Sequence, residues 1–485
     1  VTRPSALKSG IATGASTVVV ALAAALAAVI LLQKFGRSAE SDGLLAAYNV
    51  YLVLAIVAST GRFVFLPALT RAQGRGELGR ELRTHVVALT LVMAPLIALA
   101  AIFADRIAPA LVAGSGAQHL AAQALPWFVA AGYLQILAAI AASGLAALDD
   151  YLKAAFAYGA GAIVNLLVFV ALMSSQGVIA LAWGSCANGA VAVLPLALVL
   201  ARRGFVRLGR AGEVGSRLVE LGRGSALLLS LQLLYVISYR AASGIGTGEA
   251  TSFAVAYLLA GGLVTATASS ISLISSAPLT RRGVDATAAA RHIVETAWLS
   301  LSIVAGGAAV AAVAGEPLFS RLFGGTFSGD VGGELGLLLV YMAPWMVASV
   351  AFMLTFPLLF VLERPRVLIP LAIAAPLVEV GAVFLLRDLF GIAGVAVALA
   401  VTTLAVVLVL VAALSRAALA VVGKGLTQAA VVLGLVALVA FVPFALFLPR
   451  PLAAALGLSL YALVLLALRP PGLRTAWVYV RALHD

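Results

Sequence analysis

The sequence predicts an all-α polytopic membrane protein, and three observations carry that reading. Hydrophobic residues make up 63% of the 485 and charged residues only 10%, against the ~25% charged residues of soluble domains. Apolar runs recur along the whole chain, most of them past the roughly 18 residues that a helix needs to cross the hydrocarbon core. Lysine and arginine gather in every second gap between those runs, as they do in cytoplasmic loops.

Taken in order, the apolar runs predict about fourteen helical spans, near 9–33, 44–69, 85–104, 119–146, 151–174, 177–201, 222–241, 250–279, 289–314, 333–361, 366–386, 391–415, 426–448 and 451–468. The two weakest breaks are Ala146–Tyr151 and Arg450. Glycine and alanine are abundant inside the spans, which suits close helix–helix approach. Prolines 95, 126, 195, 344 and 376 predict kinks, tolerated where neighbouring helices satisfy the freed carbonyls.

With both termini placed in the cytoplasm, the inward segments hold 23 of the 31 lysines and arginines and the outward loops hold six. Arg62 and Arg240 remain inside spans. This bias predicts both termini inside. It also accounts for the net charge of +12 as topology plus contact with anionic membrane lipids, so no nucleic-acid partner is expected. The single cysteine, Cys186, excludes an internal disulfide. With no histidine or cysteine cluster, neither a metal nor a cofactor is expected. The first span has no small-residue cleavage site after a short apolar core and is expected to be retained.

The chain repeats itself. "LPALTRAQGRG" at 66–76 returns as "SAPLTRRGVDA" at 276–286, an offset of 210. "DRIAPALVAG" pairs with "EPLFSRLFGG", "LDDYLKAAF" with "LERPRVLIP", and "GVIALAW" with "GIAGVAVAL" at an offset of 214. Two copies of a six-helix unit are predicted, running in the same direction because six is even. Residues 1–201 form an N-lobe, 202–221 a cytoplasmic linker with the spacing of an amphipathic surface helix, 222–415 a C-lobe, and 416–485 two further spans and a tail. Parallel repeats of this kind occur in transporters, with the site where the repeats meet.

Polar residues inside spans are costly in lipid and so are candidate functional residues. Arg62 lies nine residues before Arg71, roughly 13 Å along a helix from the inner boundary. Three readings of it stand: a side chain reaching to the inner headgroups, a cavity arginine that recognises phosphate, or a purely structural ion pair. Arg240 is placed near the outer end of its span, where reaching outward is favoured. Gln232 lies two turns below it on a similar face. Glu379 is the only carboxylate deep inside a span, and Asn165 is its repeat partner at the 214-residue offset. That pair predicts either a shared interhelical hydrogen bond or a protonation or sodium site coupling a transport cycle. His119, Gln123, Gln135 and Asn188 are read as ordinary interhelical bonding residues.

"FGRSAESD" at 35–42, "VIALAWGSCANGAVAVLPLALVLARRG" at 178–204, "PLFSRLFGGTFS" and "FVLERPRVLIPLAI" resemble the MurJ (MviN) family of lipid II flippases. That family lies within the superfamily of multidrug, oligosaccharidyl-lipid and polysaccharide exporters. The resemblance implies a V-shaped exporter of two six-helix lobes plus two C-terminal helices in a bacterial inner membrane. It implies transfer of a polyprenyl-pyrophosphate-linked glycan to the outer leaflet, driven by membrane potential, Na+ or H+. A cationic cavity would take the pyrophosphate, the last two spans would line a groove for the lipid tail, and cell-envelope biosynthesis proteins would be partners. Asp42 matches the family's F-G-x5-D motif, while Ala21, Ala27, Ala28 and Ala55 stand where the family has arginines and an aspartate. Arg62, Asp42, Arg240 and Gln232 are therefore the substrate-binding candidates.

Two alternatives accompany this reading: a cation-coupled drug antiporter of the same superfamily, and a transport-inactive, flippase-like scaffold for envelope assembly. An enzyme is not expected. Asp330 and Glu334 alone are too few outward carboxylates for the metal or general-base work of a membrane glycosyltransferase.

Overall fold

The computed structural model describes residues 6–148, 150–205, 212–269, 285–361, 365–468, 470 and 472–475. Among the described residues the regular elements are all helical. In chain order they are α1 (Ala6–Phe35), α2 (Ala39–Gly74), α3 (Leu78–Ile102), α4 (Ala104–Leu111), α5 (Ser115–Ala146), α6 (Tyr151–Gln176), α7 (Ala180–Arg202) and α8 (Val214–Ser243). They continue as α9 (Glu249–Val264), α10 (Ala286–Phe323), α11 (Asp330–Tyr341), α12 (Ala343–Val361), α13 (Leu368–Leu414), α14 (Arg416–Phe447) and α15 (Arg450–Leu468).

Nine helical stretches among the described residues are long and apolar enough to cross a membrane, ten if the bent pair α11–α12 is one span. Two of them, Leu152–Arg202 and Leu368–Leu414, each hold two of the spans read from sequence. The chain is a multi-pass membrane protein. The α11–α12 pair bends by 43° just before Pro344, as expected where proline cannot donate to the preceding turn. The span expected over 250–279 is helical as α9 and then a π-helical turn over Thr265–Ser269. Its remainder, with the Leu279-Thr280-Arg281 half of the repeat, lies outside the described residues.

The segment after α3, expected as part of an outward loop, folds as α4, eight residues mixing charged and apolar positions, too short to register as an apolar run. Over 202–221, whose spacing permits a surface helix, the described second half runs into the next helix. Val214 already begins α8, because no proline interrupts the chain there and isolated glycines cost a helix only ~1 kcal/mol each.

The chain divides into two compact units, Val1–Val236 and Ile237–Asp485, with the boundary inside α8. Glycines in the left-handed region, where a side chain is strained, recur at the sequence offset: Gly36 with Gly248, Gly114 with Gly324, Gly177 with Gly391. Gly177 (φ 61°, ψ −144°) and Gly391 (φ 59°, ψ −137°) have nearly the same backbone conformation.

In the first unit α5 is buried along its length against α2, α3, α4 and α7. Small residues permit this. A Cβ on Gly43 would lie 2.3 Å from the Ala117 carbonyl oxygen, and one on Gly132 would lie 2.5 Å from the Leu54 side chain. At the loop-bearing end, Asp150 pairs with Lys153 and, at 2.6 Å, with Arg203. Partial burial alone would raise the Asp150 carboxyl, but hydrogen bonds from Lys153 and Arg203 outweigh it and hold it below its ordinary value. The start of α8 is fastened to the head of α3: Arg217 Nε lies 2.7 Å from Glu81 Oε1, and the Gly212 N–H donates to Thr84 Oγ1 at 2.7 Å.

In the second unit α10 is central, packing against α9, α11, α12, α14 and α15. The last helix, α15, is joined to it by two polar links, one at its first residue and one past its middle. Arg450 Nη1 lies 3.0 Å from Glu316 Oε2, and the Tyr461 hydroxyl donates to the Ser302 carbonyl at 2.8 Å.

Candidate functional site

Glu379 sits on the first half of α13 and is fully buried. Such a carboxyl must find hydrogen-bond partners or shed its charge. The Ser238 hydroxyl of α8 donates to Oε1 at 2.6 Å. The Thr402 hydroxyl, on the second half of α13 beyond the Gly391 break, is its other polar neighbour. Among the described residues, Oε2 accepts no hydrogen bond of good geometry. Three helical segments of the second unit thus bring a carboxyl and two hydroxyls to one buried place, with acceptor capacity unused. An all-oxygen group of this kind can hold a proton or a small hard cation.

The second unit also contains an apolar groove of about 740 Å³ between α10, α12, the second half of α13 and α14. Ala305, Ala309, Ala348, Leu404 and Gly423 are among its lining residues, and Thr427 is the single polar side chain among them. Leu404, Val431 and Leu438 on its walls are 44%, 54% and 59% exposed, so the surface is open and is suited to an alkyl or isoprenoid chain rather than to a charged group.

Asn165, the repeat partner of Glu379, has a different setting. It is half-buried in the first unit, its Oδ1 accepts no hydrogen bond among the described residues, and it lies against Gly184 of α7. A Cβ on Gly184 would be 2.4 Å from Asn165 Oδ1, and one on Gly161 of α6 would be 2.4 Å from Asn188 Oδ1. Gly161 and Asn165 on one helix therefore face Asn188 and Gly184 on the other, a reciprocal glycine–asparagine seam.

Arg240 lies in the last turn of α8, half-buried, and its Nη1 is 3.9 Å from where a Cβ on Gly244 would stand, a point that Arg387 Nη1 approaches to 3.4 Å. Gln232, on the same helix but in the first unit, is buried, and its Nε2 makes no hydrogen bond among the described residues. Asp42 is 4% exposed in the first turn of α2, where an acid suits the helix dipole. Arg62 is part of α2, but its side chain lies outside the described residues. His119 and Gln123 bond each other at 2.8 Å within α5 rather than across helices.

Ser238, Thr402 and Arg387 are the residues that sequence reasoning did not single out for the site. Hydroxyls are common in spans, and only the Thr402-Thr403 pair inside an otherwise apolar run offered any signal. The groove could not be found residue by residue, since each of its alanines and leucines is ordinary in a span.

No family model matches the chain, and no curated protein is similar in sequence. Solved structures are similar in fold. The lipid II flippase MurJ in an inward-closed conformation aligns with a TM-score of 0.71 at 14% identity, over 94% of this chain and 98% of that one. An inward-facing multidrug resistance MATE family transporter of the MOP superfamily gives 0.65 at 15% identity, over 84% and 96%. The eukaryotic MATE transporter AtDTX14 gives 0.59 at 14% identity, over 88% and 99%. At such identities the likeness concerns architecture, and the chain has the helical fold shared by these membrane transporters.

Proposed function

We propose that this protein is a flippase that moves a polyprenyl-pyrophosphate-linked glycan to the outer leaflet of a bacterial inner membrane, with an ion held at Glu379 coupling the cycle. The observation that carries the reading is the open apolar groove of about 740 Å³, one wall of which is α14. A substrate with a long isoprenoid tail needs such a surface beside a route for its polar head. The likeness to MurJ spans 94% of the chain, against 84% and 88% for the two MATE transporters. Arg62 is assigned to the pyrophosphate, whose oxygens suit the guanidinium fork, with Asp42, Gln232 and Arg240 as supporting polar positions.

Alanine at positions 21, 27 and 55 favours a second reading, a cation-coupled exporter of lipophilic drugs, which would not need those arginines. The test is complementation of a bacterial strain depleted of its lipid II flippase, together with flipping of lipid II and of an undecaprenyl-pyrophosphate disaccharide in proteoliposomes. Wild type should rescue or flip one of these lipids, and Arg62→Ala should fail at equal membrane levels. Export of a lipophilic cation dye without lipid flipping would replace the proposal with the antiporter. Failure of an inserted, folded protein in every assay would leave the envelope-assembly scaffold.

A further inference from the structure

The backbone of α13 breaks at Gly391, whose φ of 59° lies in the left-handed region. Three residues on, Gly394 is buried against the backbone of the helix's first half. A Cβ there would stand 2.5 Å from the Leu386 carbonyl carbon, closer still to its oxygen, and 3.0 Å from the Arg387 nitrogen. All three are backbone atoms, which cannot turn aside as a side-chain tip can, so a side chain at 394 forces the two halves apart. Glu379 stands seven residues before Leu386, and Thr402 stands eight after Gly394. At 1.5 Å per residue each lies roughly 11–12 Å from the Gly394–Leu386 contact. That contact thus sets the carboxyl and its neighbouring hydroxyl level with each other on the two halves.

The turn by itself does not call for this glycine. Gly177 makes nearly the same turn in the first unit, and the position matching Gly394 there, at the 214-residue offset, is Ala180. Ala180 is buried at the start of α7, so the first unit accommodates a Cβ at that place. It also carries Asn165 where the second unit carries Glu379. The close approach accompanies the carboxyl, not the turn. We propose that Gly394 is a positioning residue for the ion site. By letting the second half of α13 rest on the Leu386 carbonyl, it holds the Thr402 hydroxyl beside Glu379 and so sets the affinity for a proton or a small hard cation. The inference rests on the reading of Glu379 as the holder of the coupling ion.

The test uses the full-length protein in detergent and reads its melting temperature in sodium chloride against choline chloride, and as a function of pH. Glu379→Gln identifies the part of either response that belongs to the site. Gly394→Ala should weaken that part about tenfold or more in apparent ion affinity, the usual scale for groups that orient a ligand. Thr402→Val, which keeps the shape and removes the hydroxyl, should do the same. Gly381→Ala and Gly336→Ala are the controls. A Cβ on Gly381 of α13 would meet nothing within 4 Å, whereas one on Gly336 of α11 would lie 2.5 Å from the Ala311 backbone oxygen, a crowded place elsewhere in the unit. A response that Glu379→Gln removes, that Gly394→Ala and Thr402→Val weaken and that both controls keep supports the proposal, even where Gly336→Ala melts earlier than wild type. A wild-type response in Gly394→Ala or in Thr402→Val, or an equal loss in Gly336→Ala, overturns the positioning role and leaves the ion at Glu379. A response that survives in Glu379→Gln, or none in wild type, overturns the ion reading and the positioning role with it.

Discussion

Ser238 and Glu379, 141 residues apart in sequence, meet in a 2.6 Å hydrogen bond inside the second unit. Among the described residues, the second carboxyl oxygen accepts no hydrogen bond of good geometry. A polar pair so placed is costly to break on one side only. Ser238→Ala is expected to destabilise the protein by ~1–3 kcal/mol, measured as reduced thermal stability in detergent. Adding Glu379→Leu should recover part of that loss, since replacing both partners removes the buried polar group altogether. A double variant weaker than Ser238→Ala would show that the carboxyl has stabilising partners other than the serine.

Glu379→Gln preserves the shape of the side chain and removes its charge and its exchangeable proton. If an ion at this place couples transport, the variant should fold normally and lose the dependence of transport on sodium or on pH by about tenfold or more. Reconstituted vesicles with imposed gradients provide the measurement. Unchanged sodium and pH dependence would dispose of the coupling role and leave Glu379 as an interhelical bonding residue.

The groove can be blocked without disturbing the core. A Cβ on Gly423 or Gly434 would meet nothing within 4 Å, and both glycines line the groove. Leucine at either position should leave the melting temperature close to wild type, because it projects into open space. Lipid flipping should nevertheless fall by about fivefold or more as the tail surface is filled. Equal flipping by a variant with both leucines would place the lipid tail elsewhere.

The glycine–asparagine seam between α6 and α7 allows no such tolerance. A Cβ on Gly184 would also lie 2.7 Å from the Asn165 backbone oxygen, and backbone cannot give way as a side-chain tip can. Gly184→Ala and Gly161→Ala should each cost ~1–3 kcal/mol as overpacked sites, read by thermal unfolding of the detergent-solubilised protein. Neutral substitutions at both would mean that the helices separate easily.

Asp150 supplies a pH prediction outside the spans. Its carboxyl is held below the ordinary value by Lys153 and Arg203, so its folded form binds a proton less readily than its unfolded form. The stability it contributes is therefore present above the ordinary carboxyl value near 4 and is lost as pH falls through the lower folded value. Solvent screening keeps the contribution below ~1 kcal/mol. Asp150→Asn should show a small loss of stability at neutral pH and a flatter stability profile on the acid side. An unaltered acid limb would remove Asp150 from the account.

Glu379 shows how far the sequence reached and where it stopped. Counting from Arg366 and Arg387 was enough to place it deep in a span, because the position of a residue within an apolar run is a local property. Its partners were not legible: nothing local distinguishes Ser238 or Thr402 from other span hydroxyls. Asn165 failed in the opposite way. The repeat paired it with Glu379, but positions paired by sequence spacing need not have equivalent neighbours, and this one faces a glycine. Gly177 and Gly391 lie at the other extreme, with the same offset in sequence and the same backbone turn in both units.

By itself the sequence determined that the chain is helical, that it crosses a membrane many times, and which gaps between its apolar runs carry the positive charge. These follow from run length, composition and spacing, on which the bilayer and the backbone act locally. Only the tertiary structure decided which hydroxyl meets Glu379, that Arg240 and Arg387 converge at Gly244, and that alanines and leucines of four helices enclose an apolar groove. Those are contacts between segments distant along the chain, fixed by the close packing of helices, and no one segment contains the information that specifies them.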